Sequence, residues 1–365
     1  MAQPECGITA SPRGAGMSPD RKVIEGAYLG DILQQPQALE NTLATLGSSK
    51  ELQSLAARLG KGNFQRVVLT GMGSSFHALH PLSLQLIRHG HTAVMVETSE
   101  LIHYQTRFFD SQTLIIAVSQ SGESAEMVRL TAMNRKRSAV IAVTNTADSA
   151  LAKHASAVVL TRAGSEFSVS CKTYVTALMA LKWLGDLLCE RDGVLTRREL
   201  GHAAPAVSAY LADWKNHVEC LTAELRDIRH LFLVGRGASL AAVGTGALIV
   251  KEAALFPAEG MSSAAFRHGP VEMLSQGGFV AVFSGDAKTR DLNRRLLADL
   301  QEHGGRAELV GEKGRLKCFR LADHGDSVRS ILEIVPLQMM TLALAALAGR
   351  EPGKFALATK VTTTE

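Results

Sequence analysis

A cluster of hydroxyl-bearing side chains occupies one short turn in the first half of the chain. The turn follows the apolar run 114–118 and precedes a helical pattern, and its residues are Ser119, Gln120, Ser121, Gly122, Glu123 and Ser124. Backbone N–H groups and the positive end of the helix dipole both favour an anion at a helix N-terminus, and serine hydroxyls add directional donors. The turn therefore indicates a phosphate site, with helix capping as the alternative.

A second serine-bearing turn follows a different predicted strand. The apolar run 66–70 ends in a glycine-rich turn that contains Gly73, Ser74 and Ser75, and a helical stretch comes next. Ligands of parallel sheets bind beyond the carboxyl ends of the strands, so the two turns can line one crevice. Two such turns make a better phosphate cradle than one.

The same glycine turn also admits a dinucleotide site. Gly71 and Gly73 have the spacing of such a site, and Glu97 stands near the end of the next predicted strand. Phe76 occupies the third glycine position, however, which weakens the match. We therefore predict a phosphate site and no dinucleotide cofactor.

A carboxylate and an imidazole in the second half can divide base and acid work. Glu252 lies at the end of a helical stretch, and His268 follows sixteen positions later in the short motif 267–270, within a region of apolar and small residues. Near one pocket, two such groups can move a proton on a substrate. The alternative is that Glu252 is a solvated residue on the helix surface, because spacing alone does not bring the two side chains together.

The histidines and cysteines do not form a recognisable metal-binding pattern. His77 and His80 share a predicted helix face, but no third ligand is identifiable. The five cysteines are scattered and lack CxxC spacing: Cys6, Cys171, Cys189, Cys220 and Cys318. We predict no metal site and no disulfide framework, and this cysteine usage fits a reducing cytoplasm.

Short apolar runs alternate with helical patterns through most of the chain, which predicts an α/β fold with parallel sheets covered on both faces. In the first half the runs are 66–70, 93–97, 113–118, 139–144 and 157–161. The strand, glycine turn, serine and helix of residues 66–89 recur at residues 231–254. This internal repeat and the length of 365 residues predict two tandem domains.

Five successive segments are expected along the chain. They are a flexible leader (1–20), N-terminal helices (21–60), a first domain that binds phosphate (61–205), a second domain (215–350) and a C-terminal tail (351–365). One very apolar helix is expected at 331–347, directly before the polar tail.

Composition favours a protein that acts on small molecules. Hydrophobic residues make up 46% and charged residues 20% of the chain, which is typical of a globular protein with little disorder. The formal net charge of +4 comes without a basic run interleaved with aromatic residues, which argues against nucleic acid as the main partner. No segment has the pattern of a signal peptide or reaches membrane-spanning length, so we expect neither secretion nor a membrane.

Taken together, these residues resemble the sugar isomerase (SIS) domain family over about residues 30 to 365. The resemblance is to its double-domain members, which include the isomerase half of glutamine:fructose-6-phosphate aminotransferase and stand-alone amino-sugar-phosphate isomerases and deaminases. The turn 119–124 is close to the family's S-Q-S-G-E-T/S loop. Five other segments are similar to family motifs. They are 73–75 (the G-T/S-S turn), 170–174 (S-T-K-A/T-F/Y), 251–252 (K-E), 268–270 (H-G-P) and 360–362 (the end of the family's active-site tail).

The resemblance implies two tandem flavodoxin-like SIS domains and gives the matched residues roles. The substrate phosphate and nearby hydroxyls would be bound by Ser74, Ser75, Ser119, Gln120, Ser121, Ser124, Ser170 and Lys172. Glu252 would move a proton between C1 and C2, His268 would assist ring opening, often in the partner subunit's site in this family, and Lys360 would close the site near the C1 and C2 oxygens. Such chemistry needs no metal or other cofactor, and a homodimer with shared active sites is expected.

The expected function is an aldose–ketose isomerase or deaminase that acts on an amino-sugar 6-phosphate in the cytoplasm. Because the chain lacks a segment long enough for a glutaminase domain, we expect release of ammonia from glucosamine 6-phosphate or a related compound. The alternatives are a non-catalytic phosphosugar-binding regulator and a deglycase of phosphorylated sugar–amine conjugates. A regulator has no need of Glu252, His268 and Lys360 together, and residues 1–60 offer little room or basic charge for a helix-turn-helix.

Overall fold

The fold consists of two parallel β-sheets flanked by helices. The structure is a computed structural model that describes residues 21–357 and 359–364. This architecture confirms the predicted fold class of two tandem flavodoxin-like domains. The leader expected at 1–20 lies outside the described residues. The residue bounds of the two domains stay a prediction.

The first sheet is built from the five apolar runs of the first half. Its strands are β1 (Arg66–Gly71), β2 (Ala93–Glu97), β3 (Thr113–Val118), β4 (Ala139–Thr144) and β5 (Ala157–Leu160). They are parallel and lie in the order β2-β1-β3-β4-β5, so the chain changes direction across the sheet between β1 and β3. Every residue of β3 is buried, because the sheet is covered on both faces. Ligands of such sheets bind at the carboxyl ends of the strands beside this change of direction.

The second sheet repeats the first with one strand fewer. Its strands are β6 (His230–Gly235), β7 (Ala258–Ser262), β8 (Gly278–Phe283) and β9 (Arg306–Val310), in the order β7-β6-β8-β9. In the first sheet Thr70 of β1 lies beside Ala117 of β3, and in the second Val234 of β6 lies beside Val282 of β8. The internal repeat predicted from the sequence is therefore a repeat of strand order and register.

Helices cover both sheets and form the N-terminal and linking segments. In the first half of the described chain they are α1 (Ala27–Leu33), α2 (Gln35–Thr45), α3 (Lys50–Gly60), α4 (Gly73–His77), α5 (His80–Arg88), α6 (Thr98–His103), α7 (Ala125–Asn134), α8 (Ala150–His154) and α9 (Lys172–Leu188). In the second half they are α10 (Gly193–Leu200), α11 (Ala203–Leu211), α12 (Trp214–Glu224), α13 (Leu240–Ala254), α14 (Ser263–Arg267), α15 (Arg290–Glu302), α16 (Asp326–Leu332) and α17 (Val335–Leu347).

The most apolar helical stretch lies at the centre of the protein. A single hydrophobic cluster runs from the N-terminal helices through both sheets, and it includes most of α17. Among the described residues, Asp326–Leu347 is long and apolar enough to cross a membrane, but 94% of its most apolar window is buried within the protein. The single helix expected here is two helices, because Pro336 in the first turn of α17 suits a helix start and cannot continue a preceding helix.

Gly260 marks the closest approach of β7 to α13. A Cβ added at Gly260 would lie 2.4 Å from the carbonyl oxygen of Val243, and this backbone atom cannot rotate away as a side chain would. We expect Gly260→Ala to lower the free energy of unfolding by about 1–3 kcal/mol through overpacking, measured by urea unfolding.

The matched control for this change is Gly30→Ala in α1. A Cβ added at Gly30 has nothing within 4 Å among the described residues, so alanine should stabilise the helix by about 0.5–1 kcal/mol or leave it unchanged. Equal losses in the two variants would show that the contact with Val243 is not the cause.

Candidate functional site

A small polar cavity lies beyond the carboxyl ends of β3 and β4. Its lining residues are Ser74, Ser75, Val118, Ser119, Gln120, Val143, Thr144, Asn145, Thr161, Ser170, Thr173, Tyr174 and Ala177. Both serine turns thus line one cavity, together with the predicted ligand Ser170. This concentration of neutral hydroxyl and amide groups suits an oxyanion, which accepts hydrogen bonds from every side.

Backbone hydrogen bonds hold the serine loop (residues 119–124) against β4. The Ser119 N–H donates to the Val143 carbonyl over 3.1 Å, and the Asn145 N–H donates to the Gln120 carbonyl over 3.0 Å. The loop also folds back on itself, because the Gly122 N–H donates to the Ser119 hydroxyl over 3.1 Å. Gly122 has a φ of +65°, a left-handed conformation that glycine adopts without strain.

Ser121 and Ser124, two more predicted phosphate ligands, lie farther along the serine loop than the cavity lining. The Ser121 hydroxyl accepts a hydrogen bond from the Glu123 N–H over 3.2 Å. Ser124 is the N-cap residue of α7, yet its side chain makes no capping hydrogen bond within the described chain. Helix capping, the alternative reading of this loop, therefore does not account for the Ser124 hydroxyl.

The buried carboxylate of Glu166 connects the cavity to the C-terminal tail. It accepts hydrogen bonds from the Cys171 N–H (2.9 Å), the Thr173 N–H (3.1 Å), the Thr173 hydroxyl (2.7 Å) and the Lys360 ammonium (2.5 Å). Burial by itself raises the pKa of Glu166, but the Lys360 ammonium and these hydrogen bonds outweigh it, so the pKa lies below its ordinary value. Glu166 is therefore an ionised anchor that holds Lys360 beside the cavity residue Thr173.

The C-terminal tail runs from the second domain onto the serine loop. Near its start the Gly353 N–H donates to the carbonyl of Ala253, the residue after Glu252, over 3.1 Å. Near its end the carbonyl of Thr362 accepts from the Ala125 N–H, directly after the serine loop, over 3.1 Å. The tail thus spans the distance between the candidate base and the candidate phosphate site.

Glu252 lies in the last turn of α13, partly buried and within electrostatic reach of Lys360 and Glu166. Burial raises the pKa of Glu252 to about 7, against the lowering effect of the Lys360 and Lys251 ammonium groups. A carboxyl group that titrates near neutrality can take up and return a proton at physiological pH. The structure thus brings Glu252 and Lys360, two of the three predicted catalytic residues, into one electrostatic cluster.

Lys172, also a predicted phosphate ligand, points to different partners. Its ammonium group lies 2.8 Å from an Asp31 carboxylate oxygen, 2.8 Å from the Gln34 side-chain oxygen and 2.5 Å from the Ser165 carbonyl. Its side chain is only 4% exposed, and Asp31 neutralises its charge inside the protein. Through Asp31 and the Ser165 carbonyl, Lys172 connects α1 to the segment before α9. This segment carries Glu166, so Lys172 stabilises the backbone that positions Glu166.

His268, the predicted ring-opening residue, is exposed at the C-terminal end of α14. Within the described part of the chain, His268 does not line the cavity and makes no hydrogen bond or ion pair with Glu252. Its imidazole is therefore accessible on the surface of this chain.

Several polar residues of the site are not found by the sequence reasoning. Thr144 and Asn145 stand at the end of β4, so the strand-end rule that identified the serine turns also points to them. Glu166 follows the last strand of the first sheet, but the sequence contains no local signal that pairs it with Lys360, 194 residues away.

The SIS domain family model matches residues 63–185 and 224–315, which contain the two sheets. The chain belongs to the SIS domain family. The family recognised in the sequence is thereby confirmed, and the repeat of the two sheets corresponds to two copies of its domain.

Curated relatives resemble this chain over most of its length. Glutamine–fructose-6-phosphate aminotransferase [isomerizing] of Pyrococcus horikoshii is 29% identical over 340 residues, which cover 90% of this chain and 56% of the relative. The protein of the same name from Streptomyces coelicolor is 27% identical over 346 residues, which cover 88% of this chain and 56% of the relative. The chain spans about half the length of the curated relatives that it matches.

Solved structures share the fold at lower sequence identity. The C-terminal domain of glucosamine-fructose-6-phosphate aminotransferase from Francisella tularensis has a TM-score of 0.77 and 20% identity, covering 91% of this chain and 98% of that chain. Glucosamine-6-phosphate deaminase from Thermotoga maritima has a TM-score of 0.74 and 20% identity, covering 93% of this chain and 100% of that chain. At these identities the likeness establishes the fold alone.

Proposed function

We propose that the chain is an aldose–ketose isomerase or deaminase that acts on an amino-sugar 6-phosphate. The observation that carries the proposal is the position of Lys360: Glu166 holds its ammonium group beside the hydroxyl-lined cavity and within electrostatic reach of Glu252. A sugar phosphate with its phosphate in the cavity presents its carbonyl end to these charged groups. The names of the curated relatives, which are isomerising aminotransferases of fructose 6-phosphate, support a hexose 6-phosphate as substrate.

The proposed reaction is a proton transfer between neighbouring carbons of the open-chain sugar. Glu252 takes the proton from C2 of a 2-amino aldose phosphate and returns it to C1, while a second proton passes from the C2 amine to the C1 oxygen; the product has a hydroxyl at C1 and an imine at C2. Water hydrolyses this imine to a ketose phosphate and ammonia. If C2 carries a hydroxyl in place of the amine, the same two transfers interconvert aldose and ketose without release of ammonia. In both cases the Lys360 ammonium stabilises the negative charge that develops on the oxygen next to the reacting carbon.

The proposal gives His268 a role in a second subunit. His268 is exposed and separate from the cavity in a single chain, so a role in ring opening requires that it reach the site of a partner subunit. We include such a homodimer in the proposal because an exposed imidazole on one chain can complete a site on another.

A broad substrate panel tests the proposed function and separates it from its alternatives. The full chain is incubated with hexose and hexosamine 6-phosphates and with phosphorylated sugar–amine conjugates, and ketose phosphate, aldose phosphate and ammonia are measured. Ketose phosphate with equimolar ammonia identifies a deaminase, and ketose phosphate without ammonia an isomerase. Turnover of the conjugates alone would identify a deglycase, and binding without any turnover would identify a regulator; either result would overturn the proposal.

The serine turn after β1 provides a test of the phosphate site. Ser75 lines the cavity, and replacing it with alanine removes a donor to the phosphate, which is remote from the reacting carbons. We expect Ser75→Ala to raise KM roughly 10- to 100-fold and to leave kcat nearly unchanged, because hydrogen bonds to charged groups contribute about 1.5–3 kcal/mol. Steady-state kinetics measure both constants.

The matched control is Ser54→Ala, at an exposed serine of α3. It should leave KM and kcat as they are. An unchanged KM in Ser75→Ala would exclude the cavity as the phosphate site.

A further inference from the structure

The second sheet carries its own strand-end cavity, at the position that corresponds to the phosphate cavity of the first. Ser75 comes five residues after Thr70 in β1, and Ser239 comes five residues after its counterpart Val234 in β6. Ala117 of β3 and Val282 of β8 are the strand partners of Thr70 and Val234, and Ser119 and Ser284 each come two residues after them. Even the hydrogen bond recurs, because the Ser284 N–H donates to the carbonyl at the end of β9 over 3.0 Å.

This second cavity is small, like the first. Its lining includes Ser284, Glu312, Asp323, His324, Arg329 and Glu333. Glu312 corresponds to Asn145 of the first domain. Ala142 pairs with Ala117 in the first sheet and Leu309 pairs with Val282 in the second, and Asn145 and Glu312 each come three residues after these positions. Carboxylates therefore replace the neutral amide and hydroxyl groups of the first cavity.

An internal carboxylate occupies the anion position of the second cavity. The Ser239 hydroxyl, which corresponds to Ser75, donates to Oε1 of Glu333 over 2.8 Å. Ser239 is 1% exposed and Glu333 is 2% exposed, so this hydrogen bond is fixed inside the protein. This cavity does not suit a phosphate, because the Ser239 hydroxyl already donates to Glu333 and an ionised Glu333 would repel a second anion.

The other oxygen of Glu333 has no donor. Oε2 is buried and has no hydrogen-bond partner among the described residues, although Glu333 belongs to the cavity lining. Burial raises the pKa of Glu333 to about 7, against the Ser239 hydrogen bond and the Arg329 guanidinium, which lower it. When this carboxyl is ionised its unpaired buried oxygen is costly, and a ligand that donates hydrogen bonds to that oxygen removes the cost and favours the ionised form.

The charges around the cavity favour a cation. Arg329 pairs with Asp326 at 2.5 Å, and Arg290 pairs with Glu312 at 3.5 Å. Asp323 adds an exposed carboxylate at the rim, and Asp286 and Asp326 both act on Glu333 as negative charges. The guanidinium groups of Arg329, Arg290 and Arg88 are thus matched by Asp326, Glu312 and Asp286, and the carboxylates of Asp323 and Glu333 remain as a local surplus of negative charge.

We propose that this second cavity binds a protonated primary amine, with the ammonium group donating to Oε2 of Glu333 and to the Ser284 hydroxyl. Such a group has three donors and no acceptor, which is what an unpaired carboxylate oxygen and a hydroxyl require. A metal ion fits less well, because no set of three or more His, Cys, Asp or Glu side chains in the described chain is arranged to hold one. The amine can come from free ammonium or from an unphosphorylated amino sugar.

Thermal unfolding in ammonium chloride against sodium chloride at equal ionic strength tests the proposal. A ligand that binds only the folded state raises its stability, so ammonium should raise the unfolding midpoint of the wild-type chain by about 1–3 °C relative to sodium. The same shift is expected in Ser75→Ala, where only the first cavity is altered, and it should vanish in Glu333→Gln. Calorimetric titration with glucosamine, against glucose as the control without an amine, distinguishes the two sources: heat from glucosamine that exceeds that from ammonium identifies an amino sugar.

Each outcome decides the question. Equal midpoints in the two salts, together with no heat from glucosamine, would mean that the cavity holds water only. A shift that survives in Glu333→Gln would place the amine elsewhere. If Glu333→Gln does not fold, the exposed rim variant Asp323→Asn provides the second test, since it should weaken amine binding several-fold; unchanged binding in that variant would overturn the proposal.

Discussion

Glu252→Gln is expected to lower kcat by about 10²–10⁴-fold while the affinity for the sugar phosphate changes by no more than a few-fold. The amide has nearly the shape of the carboxyl group, but it cannot accept the proton from C2. The proposed phosphate site is elsewhere, in the hydroxyl-lined cavity beyond β3 and β4. Turnover is followed by ketose phosphate formation and affinity by calorimetric titration, so the two effects are measured separately.

The pH profile shows whether Glu252 acts as the base. Burial raises the pKa of Glu252 to about 7, and only its ionised form accepts a proton, so kcat/KM of the wild-type chain should rise as the pH increases through about 7. Residual activity of Glu252→Gln should lack this rise. Glu259→Gln, at an exposed acid of β7, is the control and should keep both the wild-type rate and its pH profile. Wild-type kcat in Glu252→Gln would exclude this carboxylate as the base.

The sequence predicts the phosphate half of the site because its signals are local. Each serine turn directly follows an apolar run, and a general rule for parallel sheets brings the two strand ends to one edge. The structure places Ser75, Ser119 and Ser170 in the lining of a single cavity. No long-range contact had to be known in order to expect this arrangement.

The charged half of the site depends on contacts that a sequence does not reveal. Lys360 and Glu166 are 194 residues apart, and only the path of the tail over α13 brings them together. Lys172 illustrates the same difficulty, since its motif suggests a phosphate ligand whereas its ammonium group is neutralised by Asp31. A charged residue in a motif can serve the substrate or the scaffold, and the deciding partner lies far away in the chain.

The sequence also fails to predict two strands of the second sheet, β7 and β9, because exposed or charged residues interrupt their apolar patterns. In β7 the residues Glu259 and Gly260 are exposed, so this edge strand lacks the apolar run that marks the central strands. In β9 the buried Glu308 interrupts the apolar pattern, and Arg315 neutralises its charge. The edge strands β2 and β5 were visible in the sequence because their apolar runs are continuous, whereas exposed or charged residues interrupt the runs of β7 and β9.

Lys360→Met is expected to reduce both the stability and the turnover of the chain. It leaves the carboxylate of Glu166 buried without its counter-charge, since that side chain is 0% exposed. Breaking a fully buried ion pair typically lowers the free energy of unfolding by about 3–5 kcal/mol. The loss should be smaller here, because the Lys360 side chain is 26% exposed. Urea unfolding measures the loss, and Lys354→Met is the control in the same tail, since Lys354 is 73% exposed.

The double variant Glu166→Gln, Lys360→Met separates the structural role of the pair from its chemical role. Removing both charges leaves no unpaired carboxylate inside the protein, so the double variant should be more stable than the sum of the single losses predicts, by about 0.5–3 kcal/mol. Turnover should not recover with stability, because the ammonium group that we propose to lie next to the reacting carbons is still missing. Recovery of kcat in the double variant would mean that Lys360 only holds the tail in place, and additive stability losses would mean that the two side chains do not act as a pair.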